Sequence, residues 1–487
     1  VNALLEETGL ALIDRGVRPE QQTMAADKVF WSHLCTNLAP STWVLGAILV
    51  GIGLDFRTGL LAIIIGNVLA AITVGALAQI GPRTGLTQIE SSRFSFGTAG
   101  TRIPAALNWL CAVGWDAVNN VPSVLALIVL ASYAGLTLPF WLGLAALVAL
   151  QLLASAVGHH AVQLLAKYNC YVLIVVFGVA GIVAIAHGGS LAVAHRPIAP
   201  ATFILGTSIV AGFEIGFAPY SSDYTRYLPA ATNRGTIFAL SAGGLFISSV
   251  LLELCGLFTA GRLADLSPAG VIAGIGALTG PFASVALIAI AASAVSINAI
   301  NDNTAAYSFI SMGARVPRHI SAFVTAACGF ALAVVGAGKF AELFSNYLVL
   351  LLYWIAPWAG IVLADWFALG GSVRGVRPWR SGALVFCIMT PLTIALFSST
   401  ELYEGPLAKL LGGADVGFVV GFFAAAVLYV TIERLRSQEA AQKRSVRERG
   451  ALGEFHDRGR FVREDVQCLA AGTAAVEQVR QVGGKRT

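Results

Sequence analysis

Charge is scarce in this sequence. Asp, Glu, Lys and Arg supply 12% of its 487 residues, and hydrophobic residues supply 57%. Soluble domains carry about 25% charged residues, so the row of about three soluble domains that length alone would suggest is excluded. Strict polar–apolar alternation is missing too. The apolar stretches run on for roughly 20 residues or more, enough for a helix to cross a hydrocarbon core, and this excludes a transmembrane β-barrel. The seven cysteines include no CxxC pair and no zinc spacing. With Cys111, Cys255, Cys328 and Cys387 inside apolar runs, cysteine reads as a small buried hydrophobe, neither ligand nor disulfide partner. Residues 1–28 lack the apolar core of a signal peptide, so no cleaved leader is expected. There is no Walker loop and no nucleophile triad. The adjacent His159 and His160 cannot share a helical face, which makes them a poor metal motif. No enzyme, metal site or cofactor is therefore expected. The net charge of +5 says nothing of nucleic acid and has to be read by position.

About twelve apolar spans are present. They lie near 30–54, 58–81, 103–132, 138–157, 162–186, 202–221, 235–259, 282–309, 319–338, 342–367, 382–399 and 414–433. Lys and Arg set the expected orientation. With the N-terminus inside, inside loops collect Arg83, Arg93, Arg102, Arg226, Arg234, Arg315, Arg318, Arg374, Arg377 and Arg380. Outside loops collect only Arg57, Arg196, Arg262, Lys339 and Lys409. A basic cluster from Arg434 to Arg449 adds to the inside, and its interspersed acids make the tail a solvated extension rather than a lipid or partner site. The expectation is an all-α polytopic protein of the cell membrane with both termini cytoplasmic.

Two spans share an interruption. TNLAPSTW (36–43) and IGFAPYSSD (215–223) each set Ala-Pro and hydroxyl residues inside an apolar run. Proline removes an amide donor and clashes with the preceding turn, so both helices should break there, at Ala39–Thr42 and after Gly216. Matched breaks five spans apart point to an inverted-repeat transporter whose site lies at the breaks; two ordinary proline kinks are the plainer alternative.

Polar groups in these spans need a role or a partner. In GWDAVNN (114–120), Trp115 and Asn119 are four apart and share a face, while Asp116 points off it. In SINAINDN (296–303), Asn298, Asn301 and Asp302 form one stripe, with Ser293 and Ser296 nearby. Asn120 and Asn303 read as interhelical glue. Glu214 precedes the second break, and Glu253, deep in the seventh span, reads as a packing acid. Glu214 and Asp302 either serve the site or merely neutralise His33 or Lys167. An aromatic face with amides and carboxylates suits a flat hydrogen-bonding ring: stacking holds the face, and amides pair with the edge.

At these motifs, together with GPRTGL (81–86) and APYSSDYTRYLP (218–229), the sequence resembles the nucleobase–cation symporter family, in its purine–cytosine permease branch, over roughly residues 28 to 435. The resemblance implies a twelve-helix LeuT-type fold. A cytoplasmic segment 1–28 would precede repeats 29–186 (helices 1–5) and 187–367 (helices 6–10), then helices 11–12 in 368–433 and a cytoplasmic tail 434–487. It implies substrate contacts from Trp115, Asn119, Asn298, Asp302, Glu214 and Ser41, with Phe213 or Phe217 as the opposing aromatic. Sodium coupling would use carbonyls at the first break, Ala39 and Thr42, with two hydroxyls on helix 8. Here Ile297 follows Ser296, so Ser293 must substitute. The carboxylates Glu214 and Asp302 favour protons instead, since burial disfavours an ionised carboxylate. Asp223 and Arg226, three apart, could pair as an inner gate or a plain helix end. The function expected is import of a nucleobase-like heterocycle by proton or sodium symport. The alternatives are an amino-acid or amine permease of the same fold, or a receptor that binds without transport.

Overall fold

The computed structural model describes residues 16–157, 159–186, 198–314, 316–371, 377–400, 403–439 and 442–443. Side chains of 155–166, including His159 and His160, and of Arg318 lie outside that description, as do Arg196, Arg315, Arg374 and the tail from Arg444 onward. Val1–Tyr429 forms one compact unit. Val430–Thr487 forms a second, in which the described residues are helical and Arg436 lies 3.6 Å from Glu433.

Each apolar run carries a helix. The first carries two, α1 (Asp27–Thr36) and α2 (Pro40–Gly51), which meet at 54°. Pro40 opens α2 at a position where its missing N–H costs nothing, and Ala39 before it is extended (φ −129°, ψ 151°). Next come α3 (Phe56–Ala78), α4 (Arg102–Tyr133), α5 (Phe140–Val157) and α6 (His159–Ala186). The sixth run begins as α7 (Pro200–Ile215), passes Gly216 and Phe217 into a 3-10 turn at Ala218–Tyr220, and resumes as the short α8 (Ser221–Thr225). Then follow α9 (Arg234–Ala260), α10 (Pro268–Leu278), α11 (Ala283–Ser311), α12 (Arg318–Gly336), α13 (Phe340–Leu363), α14 (Ser381–Phe397) and α15 (Gly417–Glu439). Among the described residues eight helices are long and apolar enough to cross a membrane, or nine with α1–α2 as one span; α12 and α13 count there as a single stretch, and α5, α10 and α14 are shorter.

The helices pack in two groups. One is α1, α2, α3, α7 and α9; the other is α4, α5, α11 and α12, with α6 lying against α11 and α13 against α7. The outer faces stay apolar. On α3, Leu61, Ile65, Val68 and Ile72 recur at helical spacing and are exposed, a stripe that suits acyl chains and would be a liability in water. Inside the first group the backbones nearly touch. A Cβ on Gly46 would lie 1.9 Å from the Glu253 carbonyl oxygen, and one on Gly256 would lie 2.0 Å from that of Trp43. Glycine is what lets α2 and α9 cross at this distance.

One cysteine expectation needs correction. Cys35 on α1 and Cys170 on α6 form a disulfide, with Cα atoms 5.6 Å apart and 135 residues between them in sequence. The four cysteines named in apolar runs are free. Local spacing carries no trace of a bridge made by two helices meeting in space.

Candidate functional site

The indole of Trp115 turns inward. A Cβ on Gly216 would lie 2.4 Å from Trp115 Cζ2, so the ring rests on the backbone where α7 ends. Phe213 on α7 meets it edge-on at 5.6 Å, and Tyr347 on α13 does the same at 5.4 Å. Tyr347 is held there by donating to the Cys111 carbonyl at 2.7 Å. Its ring fits because residue 114 is glycine: a Cβ there would lie 2.4 Å from Tyr347 Cε2. Phe217 faces elsewhere. It stacks on Tyr220 and Tyr224 and meets His33 at 5.0 Å, so of the two candidate aromatics it is Phe213 that contacts Trp115.

One turn after Trp115, Asn119 donates to Asn298 Oδ1 at 2.9 Å. Asn298 donates to the Asp116 carbonyl at 3.2 Å and to Gln151 Oε1 at 3.4 Å. Asn301 donates to Asp116 Oδ1 at 2.8 Å and to the Ala112 carbonyl at 2.7 Å, and Tyr220 donates to Asn301 Oδ1 at 3.0 Å. Gln151 Nε2 lies 3.2 Å from both Asp116 Oδ2 and Asp302 Oδ2. The α11 stripe is therefore real, and it is knitted to α4 and α5 through Asp116 and Gln151. Neither was expected at the site. Each is a polar residue inside an apolar helix, which was the available signal.

Glu214 belongs to a different cluster. Its Oε2 accepts from Ser249 at 2.5 Å and from Asn37 at 3.1 Å. It is fully buried and does not neutralise His33, whose Nδ1 faces the Val29 carbonyl. Lys167 is exposed. Asn37, at the first break, and Ser249, on α9, carry no local signal because their partner lies 177 residues away in one case and on another helix in both.

At the first break Ser41 and Thr42 are buried. Thr42 Oγ1 donates to the Asn37 carbonyl at 2.7 Å, and the Ala39 carbonyl accepts from the Thr42 amide at 3.1 Å. Ser293 donates to the Ile290 carbonyl at 2.6 Å; Ser296 donates to the Ser293 carbonyl at 3.0 Å and faces Asn169 of α6. Both hydroxyls are thus engaged within or beside α11, and the hydrogen bonds they make go to Ile290, Ser293 and Asn169 rather than to Ala39 or Thr42. Asp223 and Arg226 interact electrostatically but form no direct salt bridge. Asp223 accepts from the Gln88 amide and Thr304, while Arg226 donates to Tyr227 and Tyr307 and lies 5.0 Å from each ring.

The family described as permease for cytosine/purines, uracil, thiamine, allantoin matches residues 17–377. The chain belongs to that family. As a member it is a permease and not an enzyme. It is 28% identical over 445 residues to YxlA of Bacillus subtilis (strain 168), covering 87% of this chain and 95% of YxlA. It is 26% identical over 450 residues to the purine-cytosine permease fcyB of Emericella nidulans, covering 86% and 87%. Among solved structures it is similar to Mhp1 in an inward-facing conformation, with a TM-score of 0.70 at 18% identity over 87% of this chain and 93% of Mhp1. A closed form of Mhp1 with bromovinylhydantoin bound gives 0.69 at 19% identity over 87% and 95%. At that identity the permease shares the fold of Mhp1, and the substrate has to be argued from the residues of this chain.

Proposed function

We propose that this permease is a secondary active transporter that imports a nucleobase or related planar heterocycle, cytosine- or purine-like, together with a cation. The observation that carries the reading is the inward Trp115 ring, set on the backbone at Gly216 with Asn119 one turn further along. An aromatic wall of this kind binds the face of a planar ring, contributing about 1–3 kcal/mol per base. Amides such as Asn119 and Asn298 read its edge. The relative fcyB is named a purine-cytosine permease, and Mhp1 has been solved with a hydantoin bound; both agree with a flat, hydrogen-bonding guest. Asp302 would tune the site through Gln151, and Ser41 would line the first break.

In this reading the apolar runs form twelve membrane helices, both termini are cytoplasmic, and the interruptions near Ala39 and Gly216 are the paired breaks of repeats 29–186 and 187–367. One packed group rocks against the other while the site stays near mid-bilayer. Substrate and cation must favour each other's binding, a coupling typically worth about 1–3 kcal/mol. The proton is the preferred cation. A hard ion needs several oxygens, Ile297 supplies none, and the Ser293 and Ser296 hydroxyls are engaged in their own helix. The test is uptake of labelled cytosine into proteoliposomes, with purines, a hydantoin and amino acids as competitors, with and without sodium. Cytosine uptake blocked by purines and indifferent to sodium is expected, and Trp115→Ala should abolish it while leaving protein yield unchanged. Competition by amino acids alone, or binding with no uptake under an ion gradient, would replace the reading.

A further inference from the structure

A second buried polar cluster lies where α1, α3, α7 and α9 meet, and it holds two carboxylates. Glu214 and Glu253 are both fully buried. Ser249 and Glu253 are one helical turn apart on α9, and Ser249 is the closest partner of Glu214, so the two acids share one side of that helix. Glu253 Oε2 accepts from Asn67 Nδ2 of α3 at 2.6 Å, and the other N–H of that amide goes to the Ile63 carbonyl at 2.9 Å. Three buried acceptor oxygens in the cluster have no hydrogen-bond partner: Glu253 Oε1, Asn67 Oδ1 and Glu214 Oε1.

The first two of those oxygens belong to one acid–amide pair that is already joined by a single hydrogen bond. One proton on Glu253 Oε1 would supply a donor for Asn67 Oδ1, the two-bond pairing open to an acid and an amide. Turning the amide over does not help, because its oxygen would then face the Ile63 carbonyl. Leaving Glu253 ionised would strand a buried charge on one donor, and the neighbouring Glu214 carboxylate disfavours that charge further. Glu214 differs. Two donors converge on its Oε2, the pattern that supports an anion. Among the described residues no Lys or Arg is brought to either acid. The buried or half-buried titratable groups of the surrounding elements include His33 on α1, Asp223 and Tyr224 on α8, Tyr347 on α13 against Trp115, and Cys255 on α9 facing Gly181 of α6, whereas Asp27 and Lys28 of α1, Arg57 of α3 and Arg234 of α9 are exposed.

We propose that this cluster is the proton site of the transport cycle, in which Glu253 remains a neutral acid bound to Asn67 and Glu214 alone gains and loses the proton. The inference rests on the transporter reading. The ionised Glu214 holds Asn37 and Ser249 through charge-assisted bonds, which are roughly twice as strong as neutral ones. Adding one proton converts the carboxylate to a carboxylic acid and weakens both bonds; no other bond changes, and the proton leaves on the opposite side. Asn37 caps α1, and its carbonyl accepts from Thr42 Oγ1. Protonation is thereby felt at the first break. Asn37, Ser249, Asn67 and Glu253 are positioning residues for that step.

Two measurements on the purified full chain test this. Infrared spectra of the substrate-free protein should show one protonated-carboxyl band present at every pH and removed by Glu253→Gln, and a second that grows as pH falls and is removed by Glu214→Gln. In proteoliposomes the cytosine Kd of the wild type should change about tenfold per pH unit across the linked range. That dependence should vanish in Glu214→Gln, along with accumulation driven by a pH gradient, and should persist in Glu253→Gln, which copies the neutral acid. Asn37→Ala should keep the titrating band and lose the accumulation. Wild-type accumulation by Glu214→Gln, loss of the pH dependence in Glu253→Gln, or accumulation driven by sodium alone would overturn the proposal. If both bands behave as stated but the wild type neither binds nor moves cytosine, the substrate reading fails and the proton site stands.

Discussion

At the scale of single residues, the site depends on small groups as much as on large ones. Gly216 admits the edge of the Trp115 ring, and any Cβ there would meet it at 2.4 Å. Gly216→Ala should therefore push the indole off the break and weaken cytosine binding by at least tenfold, read by isothermal titration; an unchanged Kd would show that the ring is not held by that contact. Asn119→Ala should cost a similar factor, because a buried edge-reading group would be left unpaired, and an unaltered affinity would remove it from edge recognition. Trp115 and Asn119 were legible in the sequence because four-residue spacing alone puts an aromatic and an amide on one face. Tyr347 was not. Its place comes from the Cys111 carbonyl, 236 positions away, and no local pattern encodes such a contact. Asp116 leaves the Trp115 face, yet the face it joins is the one packed on α11.

At the scale of elements, span positions follow from apolar length, and the bend at α1–α2 follows from a proline with a known preference for the first helical position. The sixth run behaves differently from the first: its helix passes through a 3-10 turn at Ala218–Tyr220, and proline alone did not forecast that form. The crossing of α2 over α9 was also hidden, since glycine is common in membrane helices and only the partner shows which ones matter. Gly256→Ala, aimed at an atom 2.0 Å away, should destabilise the protein by about 1–3 kcal/mol, the range for overpacking. Gly243→Ala on the same helix meets nothing within 4 Å and should be close to neutral. Thermal unfolding in detergent compares the two, and equal losses would mean that α2 and α9 are not in close contact. The Cys35–Cys170 bridge joins α1 to α6 and lay beyond any reading of cysteine spacing.

For the whole molecule, the distribution of Lys and Arg predicts both termini inside the cell. Thr232→Cys would then resist a membrane-impermeant thiol reagent applied to intact cells, whereas Arg262→Cys would react; the reverse result would invert the topology and the direction of transport with it. Both positions lie in described loops, on the N-terminal and C-terminal sides of α9. The family, the helical class and the polar constellation on the fourth and eleventh helices were all legible from order and spacing. The proton cluster was only half legible, through Glu214. Its other members, Asn37 at the first break, Asn67 on α3 and Ser249 and Glu253 on α9, are polar residues whose shared meaning arises only when those elements are assembled.

The two glycines at the α2–α9 crossing also constrain how the protein can move. Where main chain rests on main chain at two points one helical repeat apart, neither rod can slide or roll without collision, so the pair must travel as a single stiff plate. Whatever hinge serves the cycle has to lie outside that plate, in joints cushioned by side chains. The short stretch between Thr36 and Pro40 is the nearest such joint, and Asn37 sits within it.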